Sequence, residues 1–468
     1  MTKAEKFLQI EKKSDLFDYK YKGVHLWTLI RVDICSLFFA ELDIERIHPD
    51  VRKKTLLGSI RNVILILAKI PKYLYHRCCM QSKDVFCSTN NVYKKSMGKI
   101  IDPYADFFSD TNLTVHNHTL YNPAKTVGIL YSGTNDSTCR IREFVFIVWY
   151  KLTRSLGVTK KSKEIVQFLE QVEKTLDIQL DDNYESKVAI KANRFLIRKK
   201  YYKKMLKNRF KCIVHGFNYW HAGMALISAA KELGVPTMEL QHGLADKNHV
   251  AYNFLDSSLE NDYFPDFFFT WGDYWSDSVR LPSGSKALSV GFPLMDDSRK
   301  SLKDVQQNEN TIIFYSSQVR EFIMMALSVC DKLTDLGLKV KLKLHPGECK
   351  SWKTHYPELN DAKLEVLDKP VNVHELMASA KYHVGIGSTV MYEALAFSGT
   401  VLIYDHPYSF LMDDLIEKGY VQLFKEDESL INLITENQID QNYEDICSQL
   451  FKQNATRNIE EAIRAIIG

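Results

Sequence analysis

The chain has 468 residues, too many for one ordinary hydrophobic core and suited to two or three domains. Its composition, 45% hydrophobic and 25% charged, is that of a globular protein. Its 61 Lys and Arg nearly cancel its 58 Asp and Glu, and a formal charge of +3 supplies no global field for nucleic-acid binding.

Residues 1–78 read mainly as helix, with Leu56, Ile60, Val63, Ile64 and Leu67 at helical spacing. The apolar run Leu56–Leu67 is broken by Arg61 and is too short to span a bilayer, and the first residues lack the apolar core of a signal peptide. Nine cysteines, scattered and without a C-x-x-C, indicate neither a disulfide framework nor a zinc site, which fits a reduced cytosolic setting. Basic charge is clustered: no acid occurs from Val51 to Lys83 or from Ala189 to Lys211. Those stretches either form solvated helix faces or bring the protein peripherally to the anionic inner face of a membrane.

Strands are expected at Asp84–Ser88 and Val127–Tyr131, then a long charged helical stretch from Ser162 to Lys207. An α/β series follows, with strands at Lys211–His215, Val235–Leu240, Asp266–Trp271 and Ala287–Val290 and a helix at Ala222–Leu233 closed by Gly234. The polar run 298–310 reads as a linker between an N-terminal domain (1–297) and a C-terminal one (311–468) whose last helix crosses back. The second series has strands at Thr311–Tyr315, Leu338–Leu344, Leu364–Leu367, Tyr382–Ile386 and Val401–Tyr404. Helices fall at Arg320–Leu336, Val373–Ala380 and from Ser388 to Phe397. Strands alternating with helices imply two doubly wound parallel sheets.

Ligands of such sheets bind beyond the carboxyl ends of the strands, so the residues just after each strand carry the chemistry. Three groups stand out. His345-Pro346-Gly347-Glu348 places a histidine able to meet a phosphate after a strand, or simply a satisfied histidine at a capped strand end. Gly387-Ser388-Thr389 offers small residues and hydroxyls at a helix start, suited to a phosphate, although either hydroxyl also serves as an ordinary cap. Glu393 lies one turn further along, where it can accept ribose hydroxyls. In the first series, Gln241-His242-Gly243 presents a histidine suited to general-base work, or a turn with a packed imidazole.

Taken in order, Gln241-His242-Gly243, Thr270-Trp271-Gly272, Gly291-Phe292-Pro293, His345-Pro346-Gly347-Glu348 and Gly387-Ser388-Thr389-x-x-x-Glu393-Ala394-Leu395 resemble GT-B glycosyltransferases of bacterial surface-polysaccharide synthesis. The pattern is similar to capsule and lipopolysaccharide transferases, to CDP-glycerol glycerophosphotransferases, and to sialyl- and Kdo-transferases with a His-Pro motif. It covers roughly residues 211–407. The resemblance implies an α/β GT-B fold, two Rossmann-like domains facing across a cleft, here with extra N-terminal helices. It implies that His242 is the catalytic base, and that His345 with Pro346, Ser388 and Thr389 beside Gly387 hold the donor phosphate. Glu393 would hold the ribose, with Glu348, Ser317 and Arg320 as further donor-side candidates. Asp102, Asp106, His215, Gln241 and Asp246 are acceptor-side candidates, although Asp102 also reads as an Asp-capped turn. The acidic pair followed by glycine of the bacterial sialyltransferases is absent, which argues against a CMP-sialic acid donor. Thr389 and Glu393 stand where the glycerophosphotransferases have Ser and Asp, which argues against glycerol phosphate. The expected partners are a nucleotide sugar and a glycan or lipid-linked acceptor. No cofactor is expected beyond that donor, and the lack of any Asp-x-Asp argues against the metal-dependent GT-A design. The competing functions are a non-hydrolysing sugar-nucleotide epimerase and a non-catalytic carbohydrate-binding subunit.

Overall fold

The computed structural model describes residues 2–40, 82–89, 94–96, 99–119, 145–146, 148–149, 152, 162–436 except 257 and 260, and 443–468. The helix expected near residues 56–67, the strand at 127–131 and most of the basic stretch 51–83 lie outside the described residues.

Among the described residues, two six-stranded, all-parallel sheets form the two lobes. The first contains β1 (Lys83–Thr89), β2 (Val115–Thr119), β3 (Phe210–His215), β4 (Thr237–Leu240), β5 (Phe267–Thr270) and β6 (Lys286–Ser289), in the spatial order β6-β5-β4-β3-β1-β2. The second contains β7 (Asn308–Tyr315), β8 (Lys339–Lys343), β9 (Glu365–Leu367), β10 (Ala380–Gly385), β11 (Thr400–Tyr404) and β12 (Gln422–Phe424), in the order β9-β8-β7-β10-β11-β12. Counted within its own sheet, the second order is the 3-2-1-4-5-6 of a Rossmann fold. Each order reverses at one crevice, between β1 and β3 in the first lobe and between β7 and β10 in the second. Two Rossmann-like lobes of this kind make the GT-B architecture. β2 and β12 carry no strong apolar alternation and went unread in the sequence.

The helices follow the apolar periodicity. In α7 (Arg320–Asp335) Phe322, Ile323, Ala326, Val329, Cys330 and Leu333 are buried, and Gly337 at φ +83° ends the turn. The long charged stretch divides into α3 (Lys163–Leu176) and α4 (Tyr184–Leu206), because Asp177 takes a left-handed φ of +54° at the end of α3. On α4 and after it, Lys191 pairs with Asp33, Lys199 and Lys203 with Glu232, and Lys211 with Asp84, while Arg198 is buried. Four cations of that basic run are thus held by acids of the same chain. Among the described residues no helix is long and apolar enough to cross a membrane.

The extra N-terminal helices, α1 (Lys3–Lys12) and α2 (Leu26–Ala40), are anchored by a buried ion pair. Glu11 accepts from Arg31 and from the Trp27 indole, each at 2.7 Å, and Arg31 also donates to the carbonyls of Val250 and Asn253. The polar run 298–310 joins the last strand of the first sheet to the first strand of the second. Its first residues belong to α6 (Pro293–Leu302), which starts on Pro293 and buries Leu294, Met295 and Ser298, and its last residues open β7. The first lobe carries α5 (His221–Lys231), and the second carries α8 (Val373–Ser379) and α9 (Thr389–Leu395). The chain then returns: α10 (Tyr443–Leu450) packs between the lobes, and α11 (Ala455–Ile467) packs on the first, where Ile459 and Ile463 are buried with Val85, Cys87 and Phe107. Gly291, at φ +100°, permits this return, since a Cβ there would lie 2.3 Å from the Lys452 carbonyl.

Candidate active site

The parallel register delivers the motif residues to one edge. Tyr315 pairs with Lys343 and Phe314 with Val384, so Ser316-Ser317, His345 and Ile386-Gly387-Ser388 leave neighbouring strands side by side. Across the first lobe, Ser88 pairs with His215 and His215 with Glu239, which sets Phe217–Trp220 beside Gln241-His242-Gly243. The two motifs meet over the cleft: a Cβ built on Gly243 would stand 3.9 Å from the Thr389 hydroxyl. The lobes touch along one side of that cleft. Trp275 and Tyr392 stack obliquely at 4.7 Å, Asn248 donates to the Phe410 carbonyl at 3.2 Å, and Lys247 reaches Asp414 at 3.7 Å.

Gln241 is buried and staples the first motif. Its amide donates to the Gly243 carbonyl, its side-chain oxygen accepts the Trp271 N–H, and its own carbonyl accepts the Trp271 indole. That turn aims His242. The imidazole Nε2 meets the Tyr219 hydroxyl at 3.2 Å, and Nδ1 lies 3.8 Å from Oε1 of Glu239. Phe217 covers the ring at 4.4 Å, and the Tyr104 hydroxyl donates to the His242 carbonyl. Glu239 is fully buried and accepts from the Tyr252 hydroxyl at 2.8 Å. Burial pushes its carboxyl up to about 8 and pushes His242 down to about 3. Near neutral pH the proton therefore sits on the carboxyl and the imidazole keeps its lone pair. His249 stands on the far side of Tyr219, ring centroids 5.6 Å apart, and burial lowers it to about 4.

The remaining acceptor-side candidates divide. Asp246 is buried at the end of the same turn, its carboxyl raised to about 6 by burial, with Oδ1 accepting the Asn248 amide. Asp102 is buried too, accepting from Thr89 and from the Tyr104 amide, while Asp106 closes the turn on the Asp102 amide. These two form the Asp-capped turn, and its service to the site is to hold Tyr104. His215 is sealed inside the sheet with Nδ1 3.1 Å from the Ser88 carbonyl, and it packs so closely under α5 that a Cβ on Gly223 would meet its Nε2 at 2.5 Å. It reaches no ligand.

In the second lobe His345 is exposed at the strand end, and its Nδ1 accepts the Gly347 amide at 3.1 Å in the turn that Pro346 opens. Glu348 does not face the cleft. It is buried, accepting from the Ser316 hydroxyl at 2.7 Å, the His345 amide at 2.9 Å and the Tyr356 hydroxyl, and so ties the turn after β8 to the turn after β7. In that second turn the Ser317 hydroxyl is buried and meets no hydrogen-bond partner among the described residues, and Gln318 takes a left-handed φ of +63°. Arg320 points away, donating to the His355 carbonyl and pairing with Glu358. Gly387 has to be small, since a Cβ there would lie 2.5 Å from the Tyr408 carbonyl.

Glu393 is buried, and Oε2 lies 2.9 Å from Nε2 of His374, whose Nδ1 is 2.7 Å from the Ser298 hydroxyl. This Ser298–His374–Glu393 chain was not read from the sequence. Nothing around His374 marks it locally, because its partners stand on two other helices. Glu239 was passed over for a related reason: an acid at the end of a strand gains meaning only once its burial is known.

No protein-family model matches the chain, and no curated protein matches its sequence. Solved structures resemble it along most of their length. The UDP-GlcNAc 2-epimerase of Methanocaldococcus jannaschii is 13% identical with a TM-score of 0.47, over 82% of this chain and 99% of that one. Arabidopsis thaliana UGT89C1 is 10% identical at 0.46, over 83% and 100%. The wall teichoic acid polymerase TagF is 11% identical at 0.42, over 88% and 98%. At such values the functional case rests on the chain's own geometry.

Proposed function

We propose that the protein is a glycosyltransferase that moves a sugar from a nucleotide-activated donor, bound by the second lobe, to a hydroxyl of a glycan or lipid-linked acceptor held by the first, in surface-polysaccharide synthesis. The observation that carries this reading is the approach of Gly243 to Thr389, which sets the base-bearing turn against the hydroxyl-bearing one. On this reading His345, Ser317, Ser388 and Thr389 donate to the departing phosphate, and no metal is required for it. Glu393, oriented by His374, accepts from the ribose. His242 takes the acceptor proton on Nε2, the nitrogen that a hydroxyl, that of Tyr219, already meets. A base on the acceptor side and a leaving group on the donor side favour direct inversion. Glu239 is the group behind the base, its carboxyl oxygen 3.8 Å from the imidazole Nδ1.

His242→Ala is expected to lower turnover roughly 10²–10⁴-fold while nucleotide affinity stays within about twofold. Calorimetric titration with UDP, CDP, GDP and CMP alongside transfer assays checks both halves. A variant that loses nucleotide affinity instead removes His242 from the base role.

One observation favours a second reading. An epimerase needs acid–base groups at the sugar beyond one histidine, and Glu239 lies 3.8 Å from His242 while His249 shares the Tyr219 ring with it. Incubating a nucleotide sugar in D2O without acceptor separates the two. Deuterium entering the sugar with inversion at carbon marks an epimerase, and an unchanged sugar, or its slow hydrolysis, marks a transferase.

A further inference from the structure

The turn that carries Tyr219 to His242 ends in a large aromatic side chain left in solvent. Trp220 is 60% exposed, whereas Trp27, Trp271, Trp275 and Trp352 are at most 8% exposed. It is not a stray surface residue. Its ring stands edge-on to Phe217 at 5.2 Å, and Phe217 lies 4.4 Å from the His242 ring. Trp220 is also the residue just before α5, on the loop that leaves the crevice between β1 and β3, where ligands of this fold class gather. A rigid path of aromatic faces therefore leads from solvent to the proposed base.

An exposed indole forgoes the burial that its size favours, and it pairs a flat apolar face with one N–H donor. A pyranose ring has the matching surface, a patch of C–H groups on its face and hydroxyls around its rim. We propose that Trp220, backed by Phe217, is a stacking platform for a pyranose ring of the acceptor, adjoining the sugar whose hydroxyl meets His242. This rests on the transferase reading for the word acceptor. The position of the platform, in the first lobe beside the base rather than behind Ser388 and Thr389, assigns it to the acceptor and not to the nucleobase of the donor.

Two measurements test it. In the transfer assay Trp220→Ala is expected to raise the acceptor KM at least tenfold with the donor KM unchanged, and Trp220→Phe to recover part of the loss. A rise in the donor KM alone, or no change in either, overturns the proposal. The second measurement needs no turnover. In a Trp149→Phe background, which removes the other exposed indole (55% exposed), acrylamide quenching reports chiefly on Trp220. Protection of that fluorescence by maltoheptaose or chitotetraose, and not by UDP, CDP or GDP, supports the platform. Protection by nucleotide alone, or by none of these probes, overturns it. Saccharide protection in a protein that transfers nothing keeps the platform and removes the transferase reading, so the two fail separately.

Discussion

Glu239→Gln is expected to become steadily more stable than the parent protein as pH rises. Burial moves the carboxyl from 4.5 to about 8 in the folded protein. Between those values the folded form holds a proton that the unfolded chain has released, so parental stability is fully present below about pH 4.5 and is lost as pH rises through about 8. Between 4.5 and about 8, at about 1.4 kcal/mol per pH unit, the difference grows to about 5 kcal/mol. A glutamine has no proton to lose, and the Tyr252 hydroxyl can bond to either end of the amide. The gap between variant and parent is thus flat below pH 4.5, widens by about 1.4 kcal/mol per pH unit, and levels off beyond pH 8. Urea unfolding followed by tryptophan fluorescence at pH 5, 6, 7 and 8 and fixed ionic strength measures it. Parallel pH profiles for the two proteins would mean that Glu239 is ionised when folded, and the proton-holding carboxyl behind His242 would be refuted.

Replacement of His374 separates its two bonds. An asparagine reaches as far as the imidazole Nδ1 and so toward Ser298, whereas a glutamine reaches the Nε2 position beside Glu393. Each variant leaves one buried partner unmet and is expected to lose roughly 1–3 kcal/mol. Only His374→Asn is expected to lose nucleotide affinity, by tenfold or more, when titrated with UDP, CDP and GDP; equal affinities in the two variants would remove Glu393 from the ribose. For Gly291→Ala, left-handed strain and the clash with the Lys452 carbonyl together cost roughly 2–4 kcal/mol. Calorimetry is expected to show a lower Tm, and limited proteolysis a new cut near residues 452–455.

The two-sheet architecture was legible in the chain because it is written in short-range patterns. The apolar spacing Phe322, Ile323, Ala326, Val329 and Leu333 marks α7 without knowledge of its neighbours, and Gly337 marks its end. The same locality placed His345, Ser388, Thr389 and His242 at one edge of their sheets, since parallel strands joined by helices must all end on the same side. What the sequence left open is what depends on residues distant along the chain. Glu348 and Arg320 looked like ligands because they follow strands, yet partners from other segments hold them away from the cleft. The bond between His374 and Ser298 joins residues 76 positions apart, and only the packing of α6 against α8 creates it. His215 and His242 are the same residue type at the ends of adjacent strands, but one is sealed beneath Gly223 and the other sits between Tyr219 and Glu239. Period and turn chemistry act over a few residues and survive in any environment. Charge state and reach depend on desolvation, which is a sum over every neighbour the fold brings near, and that sum exists only once the chain has closed on itself.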